Sequence, residues 1–310
     1  MERLGILMLG GAKRVSVGRM FMDAGSQLGY DVELYSYELD RKVPISEIAE
    51  IIIGRRWTDD DVVEHINDVV ETNRINIIVP FVDGAIGVAA RCKSYKLFAP
   101  VGDKKVVDTM FDKVSADKFF RKFAIPLPDL RRPADGIFPI IAKPACGSAS
   151  KGIKILRNEL DLEFVNAEEE YIFQEYISDR EEYTVDCYVS SAGKVVAAVP
   201  RRRIETAGGE ATRTVTVADH EVIRLSDMVL RAVGLTGAVT LQFIRDKSSG
   251  RTMLMEINPR LGGGVVCAVH AGANIPEMII REWAEMDLIP ARWTPGIEIA
   301  RYFQEVVFKN

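Results

Sequence analysis

Cysteine and histidine are scarce in this chain: four of the one and three of the other in 310 residues. Cys92, Cys146, Cys187 and Cys267 lie far apart and form neither a CxxC pair nor a Cys/His ligand spacing, so the pattern offers no zinc site and reads as reduced thiols. His65, His220 and His270 belong to no Ser/His/Asp arrangement, which removes the triad hydrolases. No apolar run approaches the ~20 residues that a membrane helix needs, and Met1 to Gly10 is too short for a signal peptide and reads as a first strand. No membrane partner and a cytoplasmic setting are expected. A formal net charge of -5 leaves no basic excess for a nucleic-acid partner. Neither common nucleotide-loop signature is present. Gly10-Gly11-Ala12-Lys13-Arg14 fails GxGxxG and is read as a close turn, and Gly152 is followed by Ile153-Lys154 instead of the Lys and Ser/Thr of a P-loop.

What is present suits a large globular core: 47% hydrophobic and 27% charged residues, enough chain for two or three packed lobes. Short apolar or β-rich runs at 4–9, 31–36, 48–53, 75–80 and 96–100 alternate with helical patterns such as Val62-Val63-His65-Ile66-Val69-Val70, which predicts βαβ units around a parallel sheet and an α/β fold class. A helix over Asp112 to Phe123 is stopped by Ile125-Pro126-Leu127-Pro128. The pattern then changes to hairpins: strands at 137–143 and 153–156, further strands at 171–177, 183–189, 195–199, 241–245 and 253–257, and a helix over 220–233.

Chemistry-bearing residues recur at strand spacing. Asp246-Lys247-Ser248-Ser249-Gly250 predicts a hairpin that sets Gln242, Glu256 and Asn258 on adjoining strands as oxygen ligands for a hard cation, with Arg260 continuing the alternation as a phosphate-binding fork. Gly147, Ser148, Ser150 and Gly152 lie in a loop of small residues whose amides can approach a polyphosphate. Lys143 precedes that loop and Lys113 sits on the preceding helix, both suited to a bound phosphate. Tyr171-Ile172-Phe173-Gln174-Glu175-Tyr176-Ile177 reads as an apolar strand running into a hinge able to bond a planar base, and Glu182 as an acceptor for sugar hydroxyls. Arg201-Arg202-Arg203, with Gly208-Gly209 and Arg213 beyond, forms a basic island. Arg201 and Arg203 share a strand face there and are read, with Arg213, as a site for a carboxylate, while Arg202 faces away.

In this order and spacing the residues resemble the ATP-grasp superfamily, in particular one synthetase unit of the carbamoyl phosphate synthase large subunit. The resemblance covers essentially the whole chain. It implies a Rossmann-like pre-ATP-grasp domain over 1–111, a small lobe with its glycine-rich lid over 112–178, and a large lobe over 179–310 with the metal and acceptor sites. It also implies ATP held by Lys113, Lys143 and the lid, adenine contacted by the backbone of Glu175 and Ile177, and ribose by Glu182. Magnesium, with manganese as the alternative ion, would be held by Gln242, Glu256 and Asn258, with Arg260 beside the transferred phosphoryl group. Many family members carry a carboxylate where this chain has Gln242, whereas the carbamoyl phosphate synthase branch has glutamine; weak magnesium binding without nucleotide is therefore expected. The implied activity is a carboxylate-amine ligase, or one using another nucleophile, that forms an acyl phosphate and releases ADP and phosphate. Its partners would be a small carboxylate and an amine, and a homodimer is compatible with it. Carbamoyl phosphate synthesis itself is not expected of one unit without a second. A non-enzymatic nucleotide-binding module and a kinase releasing the phosphorylated product are the alternatives.

Overall fold

The computed structural model describes residues 1–92, 94, 97–147 and 151–308. Near-continuous apolar runs at the start of the chain need cover on both faces, and they receive it. Strands β1 (Glu2–Leu9), β2 (Tyr30–Glu38), β3 (Glu50–Ile53) and β4 (Ile75–Pro80) pair in parallel in the order β3-β2-β1-β4. Leu4, Ile6 and Met8 enter one core with α1 (Val15–Gln27), and Leu7 and Leu9 enter the opposite one with α2 (Val62–Thr72) and α3 (Asp83–Ala89). Of the strand expected at 96–100, Lys96 lies outside the described residues; the rest is corrected to an isolated bridge between Phe98 and Ile77, because the chain turns at Ala99 and Pro100 donates no N–H; its carbonyl instead accepts from Ala238 N.

Two helices lead to the next sheet. Asp103 caps α4 (Lys104–Phe111) and Asp112 caps α5 (Lys113–Lys122), each carboxylate accepting a backbone N–H of the first turn. The small antiparallel sheet, in the order β6-β5-β7, comprises β5 (Ile140–Pro144), β6 (Lys154–Leu156) and β7 (Tyr171–Glu175).

The remaining chain builds a six-stranded antiparallel sheet from β8 (Arg180–Val189), β9 (Val195–Ala207), β10 (Glu210–Thr216), β11 (Gly237–Asp246), β12 (Thr252–Asn258) and β13 (Glu298–Ala300), ordered β12-β11-β8-β9-β10-β13. The strand expected at 195–199 continues to Ala207 and returns as β10 through Gly208 and Gly209, whose φ of +57° and +80° fit a two-residue turn that needs positive φ at both positions. The β11/β12 hairpin forms where its turn residues predict it, with Gln242 opposite Glu256 and Thr240 opposite Asn258. Helix α6 (His220–Val233) packs on one face together with α4. On the other, α1, α7 (Val265–His270) and α8 (Ile275–Trp283) share a core with the first sheet and with Tyr188, Val196 and Val199. Among the described residues, no helix is long and apolar enough to cross a membrane.

Candidate functional site

Two cavities meet beneath the β11/β12 hairpin. The larger, about 220 Å³, is lined by Lys113, Lys143, Gly147 and Glu256 among others; the smaller, about 100 Å³, by Arg14, Arg201, Arg203, Gln242 and Arg260, with Gly262 to Gly264. Asn258 lines both.

In the larger cavity, Lys143 lies next to the end of β5 and is only 7% exposed. Its Nζ donates to Gln174 Oε1 at 3.0 Å, and Gln174 Nε2 donates to Asp117 Oδ1 at 3.0 Å. Burial pushes the Lys143 ammonium down to about 8, and Glu256 opposes that shift. Lys113 Nζ donates to the Gly147 carbonyl at 2.8 Å, so the helix lysine holds the first residue of the loop. Gly147 and Gly152 have φ of +127° and +74°, values that favour glycine. Ser148 and Ser150 lie outside the described residues.

Glu175, Ile177 and Glu182, the residues expected to hold the nucleoside, line neither cavity. The Glu175 carboxylate accepts from Arg251 Nη2 at 2.8 and 2.9 Å, and its backbone N–H donates to Asp129 O at 2.8 Å. The Ile177 carbonyl accepts from Arg180 Nη1 at 2.7 Å, and Glu182 Oε1 accepts from Arg180 Nε at 2.9 Å. Several of the expected nucleoside contacts are thus already occupied by arginines and backbone.

The expected metal face differs from its sequence reading in one respect. Glu256 and Asn258 face the larger cavity, but Gln242 Oε1 already accepts from Arg203 Nη1 at 3.1 Å. No group of three or more His, Cys, Asp or Glu is arranged for a metal among the described residues. One carboxylate and one amide suit an ion that arrives with most of its charge balanced by phosphates.

The arginines alternate as expected: Arg201 and Arg203 are buried in side chain and Arg202 lies on the surface against Glu181. Arg201 is not a free fork, however. Its Nε donates to Asp186 Oδ2 at 2.7 Å, leaving Nη1 with no hydrogen-bond partner among the described residues. Arg203 Nε is likewise without a hydrogen bond there, 3.7 Å from Glu182. Burial lowers the Arg203 pKa. Arg213 is set apart: exposed, it pairs with Glu298 at 2.5 Å and lines neither cavity. Arg260 lines the smaller cavity and is fixed by Asp83 Oδ1, which accepts from its Nε at 2.5 Å.

Sequence reasoning missed Arg14, Asp83, Asp186 and Glu210. Arg14 crosses from the first lobe to Glu210, donating at 2.7 Å, and with Arg301 it holds the Glu210 carboxyl down at about 2 despite partial burial. The only local signal was the position of Arg14 after a glycine turn.

A family model described as "ATP-grasp in the biosynthetic pathway with Ter operon" matches residues 167–304. The carbamoyl phosphate synthase large chain of Bifidobacterium longum is 23% identical over a 187-residue alignment covering 54% of this chain and 17% of that protein. This chain therefore spans about a sixth of that relative's length. Among solved structures, the biotin carboxylase domain of Hydrogenobacter thermophilus 2-oxoglutarate carboxylase, a dimer bound to MgADP, ADP and bicarbonate, superposes with a TM-score of 0.73 at 17% identity, covering 90% of this chain and 69% of that one. N5-carboxyaminoimidazole synthetase from Staphylococcus aureus, bound to ADP, gives 0.73 at 13% identity, covering 94% and 81%.

Proposed function

This chain has the ATP-grasp fold, and from that premise we propose that it is an ATP- and magnesium-dependent ligase that activates a small carboxylate as an acyl phosphate for attack by an amine or another nucleophile. The observation that carries the reading is the junction of the two cavities at Asn258: lysines and the Glu256 carboxylate among the lining on one side, arginines with open N–H groups on the other. A polyphosphate on the first side and a carboxylate on the second would place the reacting groups together. ADP in one structural neighbour and MgADP in another support the nucleotide assignment.

In this reading the lobes at 112–178 and 179–310 grip the nucleotide, and residues 1–111 close the acceptor side. Lys143, once nucleotide is bound, keeps its proton against the phosphates, and Lys113 exchanges the Gly147 carbonyl for phosphate oxygen. Glu256 and Asn258 would hold a magnesium ion, which would supply charge neutralisation for the phosphates. The acceptor carboxylate, met by Arg201 Nη1 and Arg203 Nε, attacks the γ-phosphorus as the bond to ADP breaks. Arg260 stands beside the transferred group, and the nucleophile then displaces phosphate from the acyl carbon. No side chain needs to become covalently attached.

The test is an assay of ADP and free phosphate against pooled amino acids, sugar acids and small polycarboxylates. ADP and phosphate appearing together, only with both acceptor and nucleophile, is the expected result. ADP without phosphate would point to a kinase, and nucleotide binding without turnover to a binding module.

A further inference from the structure

Arg203 stands where a metal-binding face should be most negative. Its Nη1 donates to Gln242 Oε1 at 3.1 Å, its Nη2 donates to the Gly209 carbonyl at 2.7 Å, and its Nε lies 3.7 Å from Glu182 Oε2. The side chain is 7% exposed, and the Glu256 carboxylate also attracts its charge. We propose that this guanidinium is a built-in cation in place of a second metal ion. The nucleotide site then takes a single divalent cation at Glu256 and Asn258, and Gln242 positions Arg203 instead of ligating metal. The inference rests on reading the site as one for ATP.

Three observations carry it. The Gln242 oxygen already accepts from a positive group, and a divalent cation on that same oxygen would face the guanidinium at close range, where like charges repel. Gln242 stands opposite Glu256 in register, yet it lines the arginine-rich cavity while Glu256 lines the lysine-rich one. The charges also balance: a divalent ion with a carboxylate and a guanidinium with an amide carry the same net charge, so the amide at position 242 suits an arginine in the ion's place. The two backbone and side-chain acceptors on its Nη atoms fix the guanidinium plane and leave Nε open.

Mn2+ is the probe, counted by electron paramagnetic resonance on the full chain saturated with ADP, after ADP affinity has been measured separately without metal. One bound Mn2+ per chain is expected. Gln242→Met should leave that count and the Mn2+ affinity unchanged, while the double variant Arg203→Met with Gln242→Glu should acquire a second ion. Two ions on the wild-type complex, or a loss of about tenfold or more in Mn2+ affinity in Gln242→Met, would overturn the inference and restore Gln242 as a ligand. Failure of ADP to bind at all would sink the ATP reading and this inference with it.

Discussion

The buried Lys143 ammonium bonds to an amide, Gln174, with Asp117 one step further away, so its desolvation is only partly offset and its pKa falls to about 8. Docked phosphates would supply the missing countercharge and raise that pKa again. Binding must then take up protons. Near pH 8 about half of this lysine is neutral in the free protein, so an uptake of about half a proton per nucleotide is expected, fading at lower pH where the proton is already present. Calorimetry in buffers of different ionisation enthalpy reads this directly. Lys143→Gln should remove the uptake, and a heat independent of buffer in the wild type would contradict the assignment. Arg201 poses the opposite problem, a buried charge with a dedicated partner. Asp186→Asn leaves the guanidinium buried without its counterion and should cost about 3–5 kcal/mol in urea denaturation. The alternation that buries Arg201 and Arg203 and exposes Arg202 was legible because strand period is local. Asp186 and Gln174 were not, because they arrive from other strands and their pairing depends on register.

At the scale of elements, the turn into α7 is shaped by the arginine it covers. Gly264 has φ of -91°, so its backbone does not require glycine. Packing does: a Cβ there would lie 2.3 Å from Arg201 Cζ. Asp186 pins that guanidinium, which cannot swing aside cheaply. Gly264→Ala should therefore destabilise the protein by about 1–3 kcal/mol and displace Arg201 from the smaller cavity. Thermal unfolding measures the first effect and acceptor KM the second, and normal values of both would show that the loop can move away. The β11/β12 hairpin was readable because Asp246, Ser248, Ser249 and Gly250 carry their own turn chemistry. The β9/β10 hairpin carries an equally local signal in Gly208-Gly209, but the charges around it read as a basic island and mask the strand that bears Arg213. Helix α4 shows a similar gap: its Asp103 cap is a local signal, yet its short apolar face, Val107 and Met110, is explained only by the six-stranded sheet it packs against.

For the whole molecule, the smaller cavity is closed by contacts that skip most of the chain. Arg260 reaches Asp83 across 177 residues and Arg14 reaches Glu210 across 196. Separations of this size carry no periodic trace in a sequence, so Arg260 can be singled out from the alternation leading out of β12 while its holder cannot. Asp83 opens α3 on the first sheet, so the orientation of Arg260 depends on how the first lobe docks against the last. In the proposed reaction Arg260 acts late, on charge that develops as the phosphoryl group moves, and a small misplacement is expensive there while ground-state binding is little affected. Asp83→Asn keeps the volume and an oxygen acceptor but removes the charge that aligns Nε. It should lower kcat by about tenfold to a hundredfold with ADP affinity unchanged. Loss of ADP affinity in step with kcat would mean instead that Asp83, which also lines the larger cavity, acts on the nucleotide. Glu210→Gln separates lobe docking from arginine alignment: it loosens another cross-lobe contact, the one to Arg14, and leaves the Arg260–Asp83 pair in place, so hydrogen exchange around Arg14 should rise while any fall in kcat stays smaller than in Asp83→Asn.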